Sequence, residues 1–563
     1  MRHIYPLLIA LSIFSFDAGA QKYSKLLKKA SGLEIVYGSS SMGHYSPVKT
    51  LVTVSGNRQR ISRIAPDDVA GNGPKFPQET TYTDFTSCDI FQTALLPDSS
   101  LVTSIKHFTY GENLQPAGDT THLGLPCHIL KTSINSNWIE IWYTDALGNF
   151  KATPQPGMGI PEGVVLRVSR NGSYITEAES ISFPVEPVEL FPSGWGTEMD
   201  PNLYRFTLNN CNVITVPVFD HASVRFSGEK APETWEEGIT YNTGGGTIVL
   251  RKVSLPEISG GYDIFAELRQ FSKGDAYDRT GSVFVIPTDK ELSFLDALKD
   301  LASVPGFDAA DGRHYPALVS TPEYAAPVEL MRFFTGFGVR QFNHNVLPGQ
   351  KWVDEVLYKT DITSLGSFLH GDVWIGAYIG NWDANGHDIS LQLKYYPEGT
   401  ERYMKALPLF NTVNLMEQAG QQYPVFLGND VLRARFILDE DVKDAQLLYI
   451  TTGHGGWGGG DEFNKKVNTI SLDGEKVISF IPWCEDCATY RNNSPCSGNF
   501  SNGESSSDLS RSNWCPGKVT TPEYIPLGDL KAGEHEITVH IPQGAPEGGS
   551  ISYWCLSGTL IYR

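Results

Sequence analysis

Apolar and polar residues alternate over short stretches along most of this chain. The alternation is clear at Leu51–Val54, Leu101–His107 and Glu536–Pro542, where every second side chain would face the same side of a sheet. Turn-forming residues separate such stretches roughly every ten residues, a spacing typical of β-sandwiches and jelly rolls. One insertion, Lys290–Val304, has leucines at three-residue spacing and predicts an amphipathic helix. The pattern as a whole predicts an all-β chain with one helical insertion.

One stretch near the C-terminus departs from simple alternation. The apolar run Leu447–Ile450 predicts a buried strand, and the chain then enters Gly453–Gly459, where His454 and Trp457 are the only non-glycine residues. Two acids follow, the second of them Glu462. Glycine loses more conformational freedom on ordering than any other residue. So many glycines beside a histidine, a tryptophan and a carboxylate indicate a backbone surface that a ligand approaches closely.

The length and the N-terminus suggest how the chain is divided. A chain of 563 residues is too long for one hydrophobic core. Ile4–Phe16 is apolar but too short to cross a bilayer, and Ala18-Gly19-Ala20 fits a cleavage site, so we expect a signal peptide and export to the periplasm or medium. No later apolar run is long enough to span a membrane. The predicted parts are the signal peptide at 1–20, a β-rich N-terminal module at 21–190, a linker at 191–217, and two β modules at 218–398 and 399–563.

Charge narrows the possible partners. The formal net charge of −20 argues against nucleic acid, because phosphate binding requires basic surfaces. It does not argue against a neutral partner such as carbohydrate.

The cysteines indicate disulfides rather than a metal site. Cys484 and Cys487 form a CxxC pair, which suggests zinc, but a closed four-cysteine zinc site usually contains two such pairs and the chain has one. An exported chain allows disulfides. We therefore expect disulfides in this loop, no metal and no cofactor.

Paired carboxylates are the best candidates for chemistry. The chain lacks the G-x-S-x-G, HExxH and P-loop patterns. Glu462 follows the glycine-rich stretch, and Asp278 lies in Tyr277-Asp278-Arg279 between two predicted strands. Arg279 can hold a carboxylate or a substrate carbonyl. By itself, however, an Asp-Arg pair at a strand junction is usually a solvated turn.

Residues 218–563 resemble the bacterial peptide-N-glycosidase F family. The resemblance rests on the Gly-Trp-Gly loop, on Glu462-Phe463 and Thr469-Ile470, and on Arg511-x-x-Trp514-Cys515-Pro516-Gly517. Tyr277-Asp278-Arg279 and Glu329–Thr335 match more weakly. The resemblance implies two adjacent eight-stranded jelly rolls, at 218–398 and 399–563, with the active site between them. It also implies a β-rich, bowl-like N-terminal domain of the kind that some members carry.

The resemblance assigns roles to individual residues. Asp278 corresponds to the family's primary catalytic aspartate, Glu462 to its glutamate, and Arg511 and Trp514 to its arginine and tryptophan. The family's third acid corresponds to Gly380, which has no carboxylate. Asp383 is close in sequence, but nothing in the sequence indicates that it substitutes.

The implied reaction is hydrolysis of the amide between asparagine and the innermost N-acetylglucosamine of N-glycoproteins and N-glycopeptides. We expect a monomer that acts on these substrates without a cofactor. The residues expected to contact substrate are Tyr277, Arg279, Trp382, His454, Trp457, Arg511 and Trp514. Two alternatives remain at this stage: a glycosidase that uses Asp278 and Glu462 as an acid pair, and a non-catalytic glycan-binding protein.

The resemblance also suggests how the cysteines pair. The expected bridges are Cys487–Cys515, Cys484–Cys496 and Cys88–Cys127. Cys211 and Cys555 have no assigned partner.

Overall fold

A computed structural model describes most of the chain. The described residues are 23–66, 76–257, 261–337, 348–349, 355–397, 404–456, 459–495 and 505–563. The signal-peptide prediction at 1–20 therefore lies outside them. The chain divides into two compact units, and the boundary in the sequence lies between Asn212 and Val213. In the part of the chain that is described, no helix has the length and apolar character needed to cross a membrane.

The first unit is built on one large sheet. Its elements are β1 (Gly32–Ser41), β2 (His44–Tyr45), β3 (Lys49–Ser55), β4 (Arg58–Ile64), β5 (Gln78–Asp84), β6 (Asp89–Leu95), β7 (Leu101–His107), β8 (Gln115–His122), β9 (Leu125–Ile134), β10 (Asn137–Thr144), β11 (Val164–Arg170), β12 (Tyr174–Ser182), β13 (Thr197–Glu198), α1 (Pro201–Asn210) and a 3₁₀ turn at Pro156–Met158. The sheet order is β13-β7-β6-β5-β4-β3-β1-β12-β11-β10-β9-β8, and β2 pairs with β1. Alternate side chains of β1, Leu33, Ile35 and Tyr37, are buried in its core, as the period of a strand requires.

The stretch 191–217, which the sequence predicts as a linker, contains regular structure. Helix α1 begins after Asp200, whose carboxylate accepts the N–H of Asn202, and Pro201 occupies its first turn. Tyr204 and Leu208 of α1 pack against the sheet. Prolines such as Pro201 are therefore compatible with regular structure in this stretch, because proline fits the first turn of a helix.

The second unit begins with a sandwich of two sheets. Its elements are β14 (Ile214–Val224), β15 (Thr240–Thr243), β16 (Ile248–Leu255), β17 (Tyr262–Ser272), β18 (Thr280–Ile286), α2 (Phe294–Lys299), β19 (Gly306–Asp308), β20 (His314–Pro316), β21 (Val328–Phe334), β22 (Glu355–Asp361), β23 (Gly371–Ile379) and β24 (His387–Pro397), with 3₁₀ turns at Gly244–Gly246, Leu301–Ser303 and Thr363–Phe368. The sheet β14-β24-β17-β22 packs against the sheet formed by β15, β16, β23, β18 and β21.

A second sandwich follows. The remaining elements of the chain are β25 (Lys405–Asn411), β26 (Leu432–Leu438), β27 (Val442–Gly455), β28 (Asn468–Leu472), β29 (Glu475–Phe480), β30 (Val519–Thr520), β31 (Glu523–Leu530), β32 (Gly533–His540) and β33 (Ser552–Tyr562), with 3₁₀ turns at Glu417–Ala419, Phe426–Gly428 and Cys487–Tyr490. Of these strands, β30 joins the edge of the first sandwich, where it pairs with β21. The sheets β25-β33-β27-β31 and β26-β32-β28-β29 enclose its core. The all-β prediction is therefore confirmed.

Strand β27 explains the apolar run Leu447–Ile450. Leu447 and Tyr449 are buried in the core of the second sandwich, whereas Leu448 and Ile450 belong to the core of the first. Because both faces of β27 are covered, its sequence is apolar without alternation.

The predicted helix at Lys290–Val304 is much shorter in the structure. Helix α2 spans Phe294–Lys299, and Asp300, in an extended conformation, ends it. Ser293 and Asp296 form a capping box that fixes its start.

A buried ion pair ties the two sandwiches together. Glu329 and Arg332, both fully buried on β21, form two hydrogen bonds of 2.8 and 2.5 Å. Arg332 also donates to Thr452 Oγ1 and to the Cys555 carbonyl of the second sandwich, and Ser557 donates to Glu329 Oε2. A buried pair has to be saturated with hydrogen bonds to offset its desolvation, and these bonds cross between the sandwiches.

Candidate active site

Loops from both sandwiches enclose a cavity of about 250 Å³. It is lined by six of the predicted catalytic and substrate-contacting residues, Asp278, Arg279, Trp382, His454, Glu462 and Trp514, and also by Thr280, Tyr378, Gly380, Val413, Asn414, Glu417, Tyr423, Gly455, Tyr553 and Cys555. The two acids predicted from widely separated parts of the sequence therefore meet in one place.

The loop between β17 and β18 carries Asp278. Thr335 fixes this loop through three hydrogen bonds. The backbone N–H of Thr335 donates to the Arg279 carbonyl, and the Thr335 hydroxyl donates to the Tyr277 carbonyl. The backbone N–H of Arg279 in turn donates to the Thr335 hydroxyl. The side chain of Asp278 is 13% exposed. The local backbone thus holds the Asp278 carboxylate in the cavity wall.

The loop between β27 and β28 carries Glu462. The backbone N–H of Gly455 stabilises the Glu462 carboxylate. Gly455 has a φ of +75°, and a Cβ there would lie 1.9 Å from the carbonyl oxygen of Ile551. A Cβ on Gly460 would lie 2.2 Å from the carbonyl oxygen of Gly455. These glycines let backbone segments of the chain pack closely against one another. Glycine is therefore required at these two positions for backbone packing, before any approach of a ligand is considered.

Arg511 joins the two acids. Its Nε lies 3.1 Å from Glu462 Oε1, and its Nη2 lies 3.3 Å from Asp278 Oδ2. The side chain of Arg511 is 1% exposed, and its guanidinium lies 4.4 Å from the centre of the Trp514 ring. The buried guanidinium of Arg511 therefore contacts two carboxylates that belong to different sandwiches.

Backbone pairing fixes the loop that carries Arg511. Arg511 and Cys484 exchange two backbone hydrogen bonds, and the N–H of Ser512 donates to the Glu462 carbonyl. Strand β30, directly after this loop, pairs with β21 of the first sandwich. The loop is thus attached to both sandwiches, which brings Arg511 to Asp278.

Burial shifts both carboxyl groups towards the protonated form. Burial raises the pKa of Asp278 to about 7; Arg511 opposes this rise, and the nearby Glu462 carboxylate adds to it. Burial also raises the pKa of Glu462, against the stabilising effect of Arg511. The two groups interact and titrate as a pair. One of them can therefore hold a proton near neutral pH, as acid–base catalysis requires.

Arg279 is held by a carboxylate, as its sequence context suggested. Its Nε and Nη2 donate to Asp275 at 2.6 and 3.0 Å. Burial acts to raise the pKa of Asp275, but hydrogen bonds from His387 and Arg279 lower it to about 2. Arg279 therefore stays charged at the cavity while its Nη1 is not committed to Asp275.

His454 is buried and neutral. Burial and the nearby Arg332 and Arg511 lower the pKa of His454 to about 3. Its Nε2 lies 2.8 Å from Thr452 Oγ1, which also accepts a hydrogen bond from Arg332. His454 can therefore offer the cavity a fixed, uncharged imidazole.

The aromatic candidates occupy different environments. Trp382 is 57% exposed at the cavity, whereas Trp514 is buried and stacks on Phe334 with ring centres 4.3 Å apart. Tyr277 does not line the cavity, and Arg279 lies 5.0 Å from the centre of its ring. Trp457 lies outside the described residues. Of these described aromatic side chains, Trp382 therefore presents the most exposed surface at the cavity.

Gly380 occupies the position expected for the third acid, and a glutamate from another segment, Glu417, lies beside it. The Asp383 carboxylate caps a turn by accepting the N–H groups of Asn385 and Gly386, and Asp383 does not line the cavity. Glu417 does line it, and its Oε2 lies 3.6 Å from where a Cβ on Gly380 would be. Sequence reasoning missed Glu417 because a lone glutamate in a short turn follows no recognisable spacing.

One predicted disulfide is present and one is wrong. Cys487 and Cys515 are bonded. Cys88 and Cys127 are not, because Cys88 lies in the turn before β6 whereas Cys127 is buried on β9, far along the sheet order. The Cys484–Cys496 pairing stays a prediction, since Cys496 lies outside the described residues. Cys484, Asp486 and Cys515 come close enough to suggest a metal site, but Cys515 is already in the disulfide.

Removing the disulfide should weaken both fold and site. The bond closes a loop with a sequence separation of 28 and adjoins the Arg511 loop. In the chain-entropy model such a loop contributes about 3–4 kcal/mol. Replacing both cysteines with serine should lower the free energy of unfolding by about that amount, as measured by denaturant titration. A Cys88→Ser control should match wild type, and an unchanged double variant would contradict the role of the bond.

Family models of known proteins match three successive parts of the chain. Three family models match: peptide-N-glycosidase F, N terminal, at 215–395; peptide-N-glycosidase F, C terminal, at 422–561; and the N-glycanase peptide, N-terminal domain, at 35–186. A sequence comparison with curated proteins returned no significant match.

Two solved structures are similar over nearly the whole chain. The structure of PNGF-II in space group P21 is 40% identical, covers 95% of this chain and 99% of its own, and superposes with a TM-score of 0.84. The same protein in space group C2 is 40% identical, with 95% and 98% coverage and a TM-score of 0.81. The chain therefore belongs to the peptide-N-glycosidase F family, in the form that carries an additional N-terminal domain.

Proposed function

We propose that the cavity hydrolyses the amide between an asparagine side chain and the innermost N-acetylglucosamine of an N-glycan. The products would be aspartate and the intact glycan, released as a glycosylamine. Family membership supports an N-glycanase. The observation that carries the finer proposal is the pair of buried carboxylates, Asp278 and Glu462, on the single guanidinium of Arg511.

The proposed chemistry assigns a task to each group. Asp278, with its raised pKa, accepts a proton from the attacking water when it is ionised, and it returns a proton to the amide nitrogen as the carbon–nitrogen bond breaks. Such positioned acid–base help contributes about 10²–10⁴-fold in rate. Arg511 keeps Asp278 and Glu462 at a fixed separation. Arg279 stabilises the negative charge that develops on the amide oxygen, since such preorganised donors are often the largest single contribution to catalysis.

This assignment predicts a rising pH–rate profile. A base has to be ionised, and burial and Glu462 raise the pKa of Asp278 to about 7 while Arg511 opposes the rise. The specificity constant kcat/KM for a glycopeptide should therefore increase with pH, with a midpoint in the neutral range that belongs to the coupled pair. Initial rates measured across the acid to mildly alkaline range test this. A flat profile through neutrality would rule out Asp278 as the base.

The product distinguishes this function from its alternatives. The test is to incubate the protein with a denatured N-glycoprotein and to sequence the former glycosylation site. Aspartate there supports the amidase. Asparagine that still carries one sugar would indicate a glycosidase, and an untouched site would indicate a binding protein.

We also propose that the protein is exported, which fits a substrate found on glycoproteins outside cells. The support is the apolar segment Ile4–Phe16 followed by Ala18-Gly19-Ala20. N-terminal sequencing of the protein recovered from its producing cells should begin at Gln21, and an N-terminus at Met1 would contradict export through this signal.

A further inference from the structure

The first compact unit contains a groove that the proposed function does not use. The groove consists of two adjoining cavities of about 450 and 590 Å³, which share Ser39, Ser46, Gln155, Gly157 and Thr176. All of the residues that line it belong to the first unit, whereas the proposed active site belongs to the second. The groove is therefore a separate feature of the molecule.

The groove lies on the same face of the large sheet as the hydrophobic core of this unit. On β3, Thr50 precedes the buried Val52 and Val54 at two-residue spacing, so the three side chains share a face. On β1, Ser39 follows the buried Tyr37 in the same way. A face that is apolar in the core thus becomes polar where it lines the groove.

Strand register builds a polar row across the groove. Thr81 on β5 lies directly opposite Gln92 on β6, and both line the groove. At the boundary between the two cavities, the Gln155 amide donates to the Thr176 hydroxyl at 2.8 Å, which fixes its position. Hydroxyl and amide groups can both donate and accept hydrogen bonds, as a ligand rich in hydroxyls requires.

Unpaired basic side chains surround this row. The charged residues that line the groove include Arg63, Lys106 and Arg170, and the acid Glu79. Among the described residues, the three bases form no ion pair, whereas Glu79 lies 3.6 Å from Arg205. The chain as a whole has a formal net charge of −20. A local excess of positive charge on such a chain indicates an anionic ligand.

Arg63 and Lys106 lie at opposite ends of the polar row. The row continues from Ile61 on β4 through β5 and β6 to Ser104 on β7. Because β4 and β7 run in opposite directions, the two-residue steps from Ile61 to Arg63 and from Ser104 to Lys106 diverge. Strand spacing and rise then place the two bases on the order of 20 Å apart. A single small anion cannot contact both, whereas an extended oligomer with repeated negative charges can.

Two exposed tyrosines favour a saccharide over an acidic peptide. Tyr45 is 80% exposed and Tyr174 is 37% exposed, and both line the smaller cavity. The guanidinium of Arg170 lies 4.5 Å from the centre of the Tyr174 ring. A tyrosine ring offers an apolar surface with a hydroxyl at its edge, which suits the apolar face and the hydroxyls of a pyranose.

We propose that this groove binds an oligosaccharide that carries several carboxylates. Arg63 and Lys106 contact separate carboxylates, Thr81 and Gln92 bond to hydroxyls between them, and the tyrosines cover sugar faces. The site goes beyond the proposed function and takes no part in amide hydrolysis. If the ligand belongs to a glycoprotein, binding here raises the effective concentration of further glycans for the same enzyme molecule.

Calorimetry with free oligosaccharides measures this binding without turnover. The probes are hexagalacturonate and a disialylated biantennary N-glycan, and their neutral counterparts are maltohexaose and the same glycan without sialic acid. At least one acidic probe should bind at least about tenfold more tightly than its counterpart, and added salt should reduce the difference. Preference for hexagalacturonate alone assigns the groove to uronic-acid polysaccharides, and preference for the sialylated glycan alone assigns it to glycoproteins.

Variants connect the binding to the groove. Arg63→Gln combined with Lys106→Gln should remove the preference for acidic probes. Lys131→Gln removes a positive charge from β9, outside the groove, and should bind like wild type. Thermal melting checks folding, and the two single variants carry the test if the double variant does not fold.

Three results would overturn the proposal. They are equal affinity for acidic and neutral probes, wild-type affinity in the groove variants, and hexaglutamate that binds as tightly as the acidic saccharides. The double variant should hydrolyse a short glycopeptide at the wild-type rate. Failure of the groove and failure of the proposed active site therefore give different results.

Discussion

Asp278→Asn should abolish turnover and leave the fold intact. The substitution keeps the size of the side chain but removes the base, so kcat should fall about 10³-fold or more. Single-turnover assays on a glycopeptide measure this. Asp383→Asn is the matched control, because Asp383 caps a nearby turn and does not line the cavity. Near-wild-type activity in Asp278→Asn would remove the catalytic assignment.

The same variant should also change how stability depends on pH. Burial raises the folded-state pKa of Asp278 from 3.8 to about 7. A raised pKa stabilises the fold below the unfolded-state value, and this stability is lost as the pH rises through about 7. Asn cannot ionise, so the variant should lose less stability than wild type between acid and alkaline pH. Thermal melting across that range measures the difference, and parallel curves would contradict the raised pKa.

Arg511→Met should cost both stability and activity. Removing the shared cation leaves the carboxylates of Asp278 and Glu462 buried together, and breaking a buried pair typically costs about 3–5 kcal/mol. Because both carboxylates then have still higher pKa values, the loss should be largest above neutral pH and smallest where both are protonated. Denaturant titrations at acid and alkaline pH measure this.

Two further variants serve as controls for Arg511→Met. Arg511→Lys keeps the charge but not the fork that contacts two carboxylates, so it should recover part of the stability and little of the activity. Arg435→Met removes an arginine that is 70% exposed beside Glu536, and it should change stability by no more than about 1 kcal/mol. A deficit in Arg511→Met that did not depend on pH would contradict the shared-cation account.

Local patterns in the sequence predicted most of the framework. Leu101–His107 alternates and forms β7 with the same bounds. Leu447–Ile450 is apolar because β27 is covered on both faces. The resemblance placed Asp278, Glu462 and Arg511 in one site, and the three meet at hydrogen-bond or ion-pair distances.

Contacts between distant segments were not predictable in this way. Glu417 and Asn414 reach the cavity only because the segment after β25 passes beside Gly380, which no local pattern encodes. The glycines after β27 allow other atoms to approach closely, as their number predicted. The atoms closest to Gly455 and Gly460, however, belong to the chain's own backbone. Helix α2 is short because Asp300 leaves the helical conformation, although the leucine spacing continues beyond it.

The most direct test of the central claim is hydrolysis of a defined N-glycopeptide in water enriched in heavy oxygen, followed by mass spectrometry of the peptide. We expect asparagine to become aspartate, with one heavy oxygen from the attacking water in its side-chain carboxyl. Asparagine that retains a sugar, or a peptide released without the label, would contradict this expectation.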